Sequence, residues 1–423
     1  MQIHKFIIIF LFKRNVFFLF YIRKLIMKPL NALLHGVEKV FKTEKEVSPD
    51  ENRTLEEMVT SKGFPFEKHE VVTSDGYILQ LFRIPGAKNE TNYQTTQKQP
   101  VYFQHGLLDS SDGWVCNEES RCLPYIMANE GYDVWLGNSR GNKYCKRHQT
   151  LDPKSYEFWQ FSLHDMGNMD LPAVLAYVKK TNLTHQPVVY FGHSQGTAML
   201  FAALTSQLEF FKEHIKVFIA LAPVARLSNM SSNLLKFVQN CRVHKLFGAA
   251  NACEMFPADN EAQEFNSYMN RHFSSYSSWG LGLISDDSTG KANDKKQIGV
   301  YMKHFPSGTS LKSLNHFVQI YQSKIFTMYD YKDEANVFLY KSLKPPEYPV
   351  HNIKDVPIML IGGQEDKLAA PGDVNWLYSQ IASTVVYFKI EPEMGHISFL
   401  CGNDIEWFKG VLDLIKQRYS NIQ

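Results

Sequence analysis

From residue 100 onward, short apolar runs alternate with stretches of helical length. The runs fall at 101–103, 132–136, 188–191 and 217–221, then again at 358–361 and 385–390. Such alternation predicts a mostly parallel sheet flanked by helices, an α/β fold. The span between 221 and 358 is far longer than one crossover helix needs, so an inserted, mainly helical domain is expected at 224–348, between core segments 54–223 and 349–423. Residues 68–84 alternate in polarity around Ser74-Asp75-Gly76 and read as an antiparallel hairpin, closed by a polar loop at 88–99. Thr54 and Glu57 form a capping-box pattern ahead of Met58 and Val59, so the folded part is expected to begin near Thr54. Before it, 48–53 reads as a polar linker within 31–53, where Leu33, Val37, Val40 and Phe41 keep helical spacing.

Composition narrows the picture. A chain of 423 residues exceeds the usual size of a single core, which suits one large domain with an insertion, or two domains. Lys plus Arg number 45 against 43 Asp plus Glu, and no basic block is interleaved with aromatics, so nothing points to nucleic acid. Aromatics reach 13 % and crowd into residues 237–348, where they suit a cap sheltering an apolar ligand or simply the insert's own core. The six cysteines form no C-x-x-C pair, which argues against a zinc site. Cys116 with Cys122, or Cys241 with Cys253, lie close enough in sequence to pair; free buried thiols are the alternative.

At the N-terminus, apolar runs at 6–12 and 16–22 are separated by Lys13-Arg14. Joined into one span they would put two cations near mid-membrane, at roughly 2.5–3.5 kcal/mol each. No small-residue cleavage site follows. Residues 1–30 are therefore read as a secretory signal or signal anchor, with an interfacial membrane segment at 6–22, or an untranslated, mis-assigned start ahead of Met27, as alternatives. Sequons at Asn52, Asn89, Asn182 and Asn229 fit a secreted chain, although chance alone would give nearly as many.

The chemistry centres on Gly192-His193-Ser194-Gln195-Gly196, which follows an apolar run and opens a helix-like stretch. That context is a nucleophile elbow: Gly192 and Gly196 supply room for a sharp turn that lifts Ser194 Oγ above the sheet edge. Serine needs a histidine to take its proton and a carboxylate to hold that histidine, in the order Ser, acid, His. His396 directly follows the last run and no histidine comes after it. The loop after 358–361 holds Glu365 and Asp366, and Asp366, 30 residues before His396, is the assigned acid with Glu365 in reserve. Asp373 reads as a helix-start residue. Two backbone N–H groups, of Gln195 and of Leu107 in His105-Gly106-Leu107-Leu108, are the expected oxyanion donors.

These residues carry a resemblance. Gln104 to Leu108, the string Gly131-Tyr132-Asp133-Val134-Trp135-Leu136-Gly137-Asn138-Ser139-Arg140-Gly141-Asn142, Glu157-Phe158-Trp159, Asp170 to Ala173, the 192–196 elbow and the hairpin segment 70–79 resemble the acid lipase family of gastric and lysosomal enzymes, from about residue 54 to 415. The resemblance implies an α/β-hydrolase core with a cap and lid, hydrolysis of triacylglycerols or cholesteryl esters at a lipid–water interface, no cofactor or metal, no obligate protein partner, and the residue roles already argued. Asp366-x-Leu368-Ala369 is similar to the family's D-x-L-A, although one extra residue follows Gly363 and keeps Glu365 open. No nearby cysteine follows Cys253, so the family's lid disulfide is not implied, and the cap matches only in patches such as 306–310 and 316–319. A soluble carboxylesterase or acyltransferase, a peptidase, and a non-catalytic lipid-binding relative are the rival readings.

Overall fold

The computed structural model describes residues 48–231, 253–256 and 292–419. Helix α1 (Leu55–Thr60) starts at Thr54, whose side chain accepts from Glu57 N–H while the Glu57 carboxylate accepts from Thr54 N–H, the reciprocal cap foreseen from the spacing. Ahead of it, residues 48–53 are a docked turn rather than a linker. Asp50 binds Lys62 and Arg53 at 2.6 and 3.0 Å, and its carbonyl accepts from His304 at 3.0 Å. The acidic side chain that looked linker-like is the anchor.

Strands β1 (Glu67–Val72) and β2 (Tyr77–Ile84) form the antiparallel hairpin, with Gly76 at φ 96° in its turn. The chain continues through β3 (Pro100–Gln104), α2 (Leu123–Asn129), β4 (Asp133–Leu136), the short β5 (Arg147–His148), α3 (Leu171–Thr181), β6 (Val188–His193), α4 (Gln195–Leu204), α5 (Leu208–His214) and β7 (Ile215–Leu221). Described parts of the insertion are β8 (Glu254–Met255), α6 (Lys295–His304), β9 (Thr309–Ser310), α7 (Leu311–Ser323) and α8 (Asp333–Tyr340). The sheet resumes with β10 (Ile358–Gly363), then α9 (Pro371–Ile381), β11 (Val385–Glu391) and α10 (Glu406–Tyr419).

Among the described residues, nine strands make one sheet in the order β1-β2-β4-β3-β6-β7-β10-β11, with β5 beside β2. From β4 to β11 all neighbours are parallel. The central strands β3, β4, β6, β7 and β10 are buried almost throughout because helices cover both faces, which is why their sequences read as unbroken apolar runs. Phe103 and Phe191 stack across β3 and β6 with centroids 4.7 Å apart, each ring contributing roughly 1.5–3 kcal/mol by burial. β11 reads just as apolar in sequence but lies at the edge, with Val386 37 % exposed. The insertion leaves β7, which pairs with the elbow strand β6, and returns to β10, the parallel neighbour on β7's other side.

Arg140 ties three segments together beneath the hairpin. Its guanidinium is 1 % exposed, binds Asp75 at 2.6 and 2.9 Å and Asp170 at 2.7 Å, and lies 3.9 Å from the Tyr77 ring. These carboxylates outweigh the burial that opposes charge and raise the Arg140 pKa. Among the described residues no helix is long and apolar enough to cross a membrane, and the apolar segment at 6–22 lies outside them.

Candidate active site

The elbow is built as its glycines require. Ser194 sits at φ 54°, ψ −115°, a strained conformation that costs about 1–3 kcal/mol and survives only where its surroundings over-determine it. They do. Ser194 N–H donates to Leu221 O of β7 at 3.1 Å, and Ser194 O accepts from Thr197 N–H at 2.9 Å and Thr197 Oγ1 at 2.6 Å as α4 begins. A Cβ on Gly192 would lie 2.9 Å from the Gly196 backbone, and one on Gly196 would collide with the Gln104 carbonyl at the end of β3.

The turn brings three distant side chains into line. His396 Nε2 lies 2.8 Å from Ser194 Oγ, and His396 Nδ1 lies 2.8 Å from Asp366 Oδ2. All three are nearly sealed from solvent, at 5 %, 3 % and 2 % exposure for Ser194, His396 and Asp366. The other Asp366 oxygen accepts from Leu368 and Ala369 N–H at 2.9 and 2.8 Å, which fixes the carboxylate plane. The acid and histidine loops are stitched together by Glu365 N–H donating to Met394 O at 3.0 Å. Asp366, rather than Glu365, therefore faces the imidazole; Glu365 contributes its backbone. Asp373, in the first turn of α9, holds Arg226 and Asn229 of the loop after β7.

The Gly106–Leu107 turn abuts the nucleophile, since a Cβ on Gly106 would lie 3.2 Å from Ser194 Cβ. The Leu107 N–H lies in this turn, and the Gln195 N–H opens α4 directly after the nucleophile. His105 holds this turn. Its Nδ1–H donates to Gly106 O at 2.8 Å and its Nε2 accepts from Ser139 N–H at 3.0 Å, and burial pushes its pKa down to about 4, keeping it neutral.

Residues 99–402 match a family model described as alpha/beta hydrolase fold, and residues 55–118 one described as partial alpha/beta-hydrolase lipase region. Human gastric triacylglycerol lipase is 35 % identical over 402 residues, 93 % of this chain and 98 % of that protein. Human lysosomal acid lipase/cholesteryl ester hydrolase is 35 % identical over 381 residues (88 % and 92 %), and human lipase member K 34 % over 383 (88 % and 93 %). The chain belongs to the acid lipase family. It is a carboxylic ester hydrolase of the lipase type on an α/β-hydrolase fold. Among solved structures, DcsB in complex with its substrate analogue superposes with a TM-score of 0.50 at 11 % identity, over 84 % of this chain and 100 % of that one, a likeness of fold.

In this lipase His193 does more than space the elbow. Its Nε2–H donates to the carbonyl of His396 at 2.9 Å, bracing the histidine loop from the strand that carries the serine. Burial, with His396 beside it, pushes its pKa down to about 3, so it stays neutral and acts as a donor. Nothing in the motif's spacing announces that contact. The Cys116–Cys122 pairing entertained above does not form: both are buried thiols, donating to Asp112 O at 3.1 Å and Trp114 O at 2.8 Å. Cys241 lies outside the described residues. The sequon at Asn182 is unusable in the folded lipase, because that side chain is 1 % exposed and its amide binds Lys98 O and Asp133.

Proposed function

We propose that this lipase cleaves the esters of long-chain lipids, triacylglycerols or cholesteryl esters, through a Ser194–His396–Asp366 triad and an acyl-enzyme. The observation that carries the reading is the pair of 2.8 Å contacts running from Ser194 Oγ through His396 to Asp366. His396 Nε2 takes the Ser194 proton as Oγ bonds to the ester carbonyl carbon, and the oxyanion rests on the Leu107 and Gln195 N–H groups. The carbonyl reforms, the C–O bond to the alcohol breaks, and His396 returns the proton to the departing alkoxide. Water then adds to the acyl carbonyl as His396 takes its proton, and the Oγ–acyl bond breaks as His396 returns that proton to Ser194 Oγ, releasing the fatty acid.

Helices α6–α8, inserted between β7 and β10, support a cap over residues 224–348 that shelters the acyl chain and carries a lid opening at the lipid surface. The gastric and lysosomal lipases among its relatives support a route through the secretory pathway, with residues 1–30 as its signal or anchor. The test compares wild type with Ser194→Ala on emulsified long-chain triacylglycerol and on a soluble short-chain ester, at acid and neutral pH. Long-chain turnover abolished in the variant supports the reading. Cleavage of the short ester alone demotes the protein to an esterase, and equal activity in the variant removes Ser194 from the mechanism.

A further inference from the structure

One lobe of the insertion is closed at its base and exposed along almost its whole length. At the base, Tyr348 N–H donates to Phe326 O and Met328 N–H to Pro346 O, both at 2.9 Å, and Thr327 pairs with Glu347 as an antiparallel bridge. The chain between them, 329–345, carries α8, and from 331 to 344 all residues but Asn336 and Tyr340 are exposed. α8 turns a single side chain fully inward, and it is polar. Asn336 Nδ2 donates to Asp330 Oδ1 at 2.7 Å and to Leu343 O at 2.9 Å, and its Oδ1 accepts from Tyr331 N–H at 2.9 Å. Gln319 of α7 fastens this hub through two bonds to the Asp330 backbone, at 2.8 and 2.9 Å.

The apolar side chains of the lobe face solvent instead. Val337, Phe338 and Leu339 are 44, 76 and 50 % exposed, and Leu343, just beyond the helix, 67 %. A helix of a globular protein buries such residues and exposes its amides, so this inversion marks a surface that meets something apolar. A protein partner fits it poorly, because a stable interface takes about 20–30 residues a side and keeps lysine out of its centre. The lobe offers four apolar side chains among Lys332, Lys341 and Lys344, and Lys341 Nζ lies 5.6 Å from the Phe338 ring while donating to Phe338 O at 3.0 Å. Tyr329, Tyr331 and Tyr340 adjoin them, with ring centroids 4.9 and 6.0 Å apart along the series. An apolar tip with tyrosines and lysines around it is the order of groups that a lipid surface presents, acyl chains first and then headgroups. The three lysines are matched by Asp330, Asp333 and Glu334, so the lobe carries no net charge that would select an anionic surface.

We propose that the α8 lobe is a lipid-surface anchor: Phe338 and Leu339, with Val337 and Leu343 beside them, enter the acyl layer of a zwitterionic phospholipid surface and hold the enzyme there. The proposal rests on the lipase reading above for the nature of that surface. It places docking on side chains that take no part in the contacts among Ser194, His396 and Asp366. Transferring the exposed parts of two side chains of this size from water to acyl chains corresponds to about 10²-fold in partition.

The experiment measures co-sedimentation of the full-length protein with vesicles of diether phosphatidylcholine, a lipid that offers no carboxylic ester to hydrolyse. The double variant Phe338→Gln, Leu339→Gln is expected to partition about 10²-fold more weakly than wild type. Its melting temperature should stay at the wild-type value, as should its kcat/KM for p-nitrophenyl butyrate, a soluble ester that makes no demand on an interface. Leu183→Gln, which alters a similarly exposed leucine outside the lobe, should bind as wild type does. Equal binding by wild type and double variant, no binding by wild type, or an equal loss in Leu183→Gln overturns the proposal and leaves the lipase reading intact. So does a double variant that keeps its binding but melts lower, or that loses a dimer seen for wild type in sedimentation velocity, since the tip is then covered by this chain or by a second copy. A wild type that hydrolyses neither the soluble ester nor emulsified triacylglycerol ends both.

Discussion

Asp366→Asn isolates what the carboxylate does. Asp366 Oδ1 accepts two backbone N–H groups, from Leu368 and Ala369, so an asparagine must keep its carbonyl oxygen there and turn its NH2 toward His396. That NH2 then faces His396 Nδ1, which the native carboxylate approaches at 2.8 Å as an acceptor. With a donor in that place, Nδ1 must become the acceptor and the proton moves to Nε2, where Ser194 needs a base. The expected loss is about 10⁴-fold in kcat, or about 5.5 kcal/mol in activation free energy. Stability should change little because every loop hydrogen bond on Oδ1 survives. The assay is kcat for p-nitrophenyl butyrate at the wild-type optimum, with thermal melting in parallel and Glu365→Gln as the comparison. Glu365→Gln should retain activity within about threefold, since its loop contact runs through the backbone N–H. A loss below about tenfold for Asp366→Asn, or an equal loss for Glu365→Gln, would refute this assignment of the acid.

Three further outcomes follow from the packing and the charges. Gly196→Ala drives a methyl into the Gln104 carbonyl and should cost about 1–3 kcal/mol in urea unfolding, with activity lost further because β3 leads into the Gly106–Leu107 turn. Arg140→Met leaves buried Asp170 uncompensated and should cost about 3–5 kcal/mol, seen as a lowered urea midpoint without a change in slope. Burial pushes the Asp109 pKa up to about 7, which predicts one pH-dependent contribution to stability: the native state holds a proton that the unfolded chain has released, so this contribution is fully present below about pH 4 and is lost as pH rises to about 7. That contribution amounts to about 4 kcal/mol and should appear as the pH-dependent difference between wild type and Asp109→Asn in urea titrations; a difference constant with pH would contradict it.

Local chemistry made much of this protein legible from its residues alone. An apolar run that is covered on both faces cannot alternate in polarity, so the central strands appeared as uninterrupted stretches at 101–103, 188–191 and 217–221. The elbow was equally plain, because a backbone at positive φ pressed between strand and helix admits only small neighbours, and Gly192 and Gly196 are there. Chain order then pointed to His396 and to the acidic pair in the preceding loop.

Tertiary structure decided what depends on partners remote in sequence. β11 looks as apolar as the core strands, yet it became an edge because nothing pairs with its outer side among the described residues. Residues 48–53 have a linker's composition but dock because Lys62 and the insertion's His304 meet Asp50 in space. Choosing Asp366 over its neighbour required knowing which side chain the loop turns toward His396 once Met394 has bound the Glu365 backbone. His193 bracing His396 and the Tyr301 contact to Asp109 involve separations of 203 and 192 residues. Such contacts leave no periodic trace in the chain, because the residues that make them share no local spacing and meet only after the sheet and the insertion have folded.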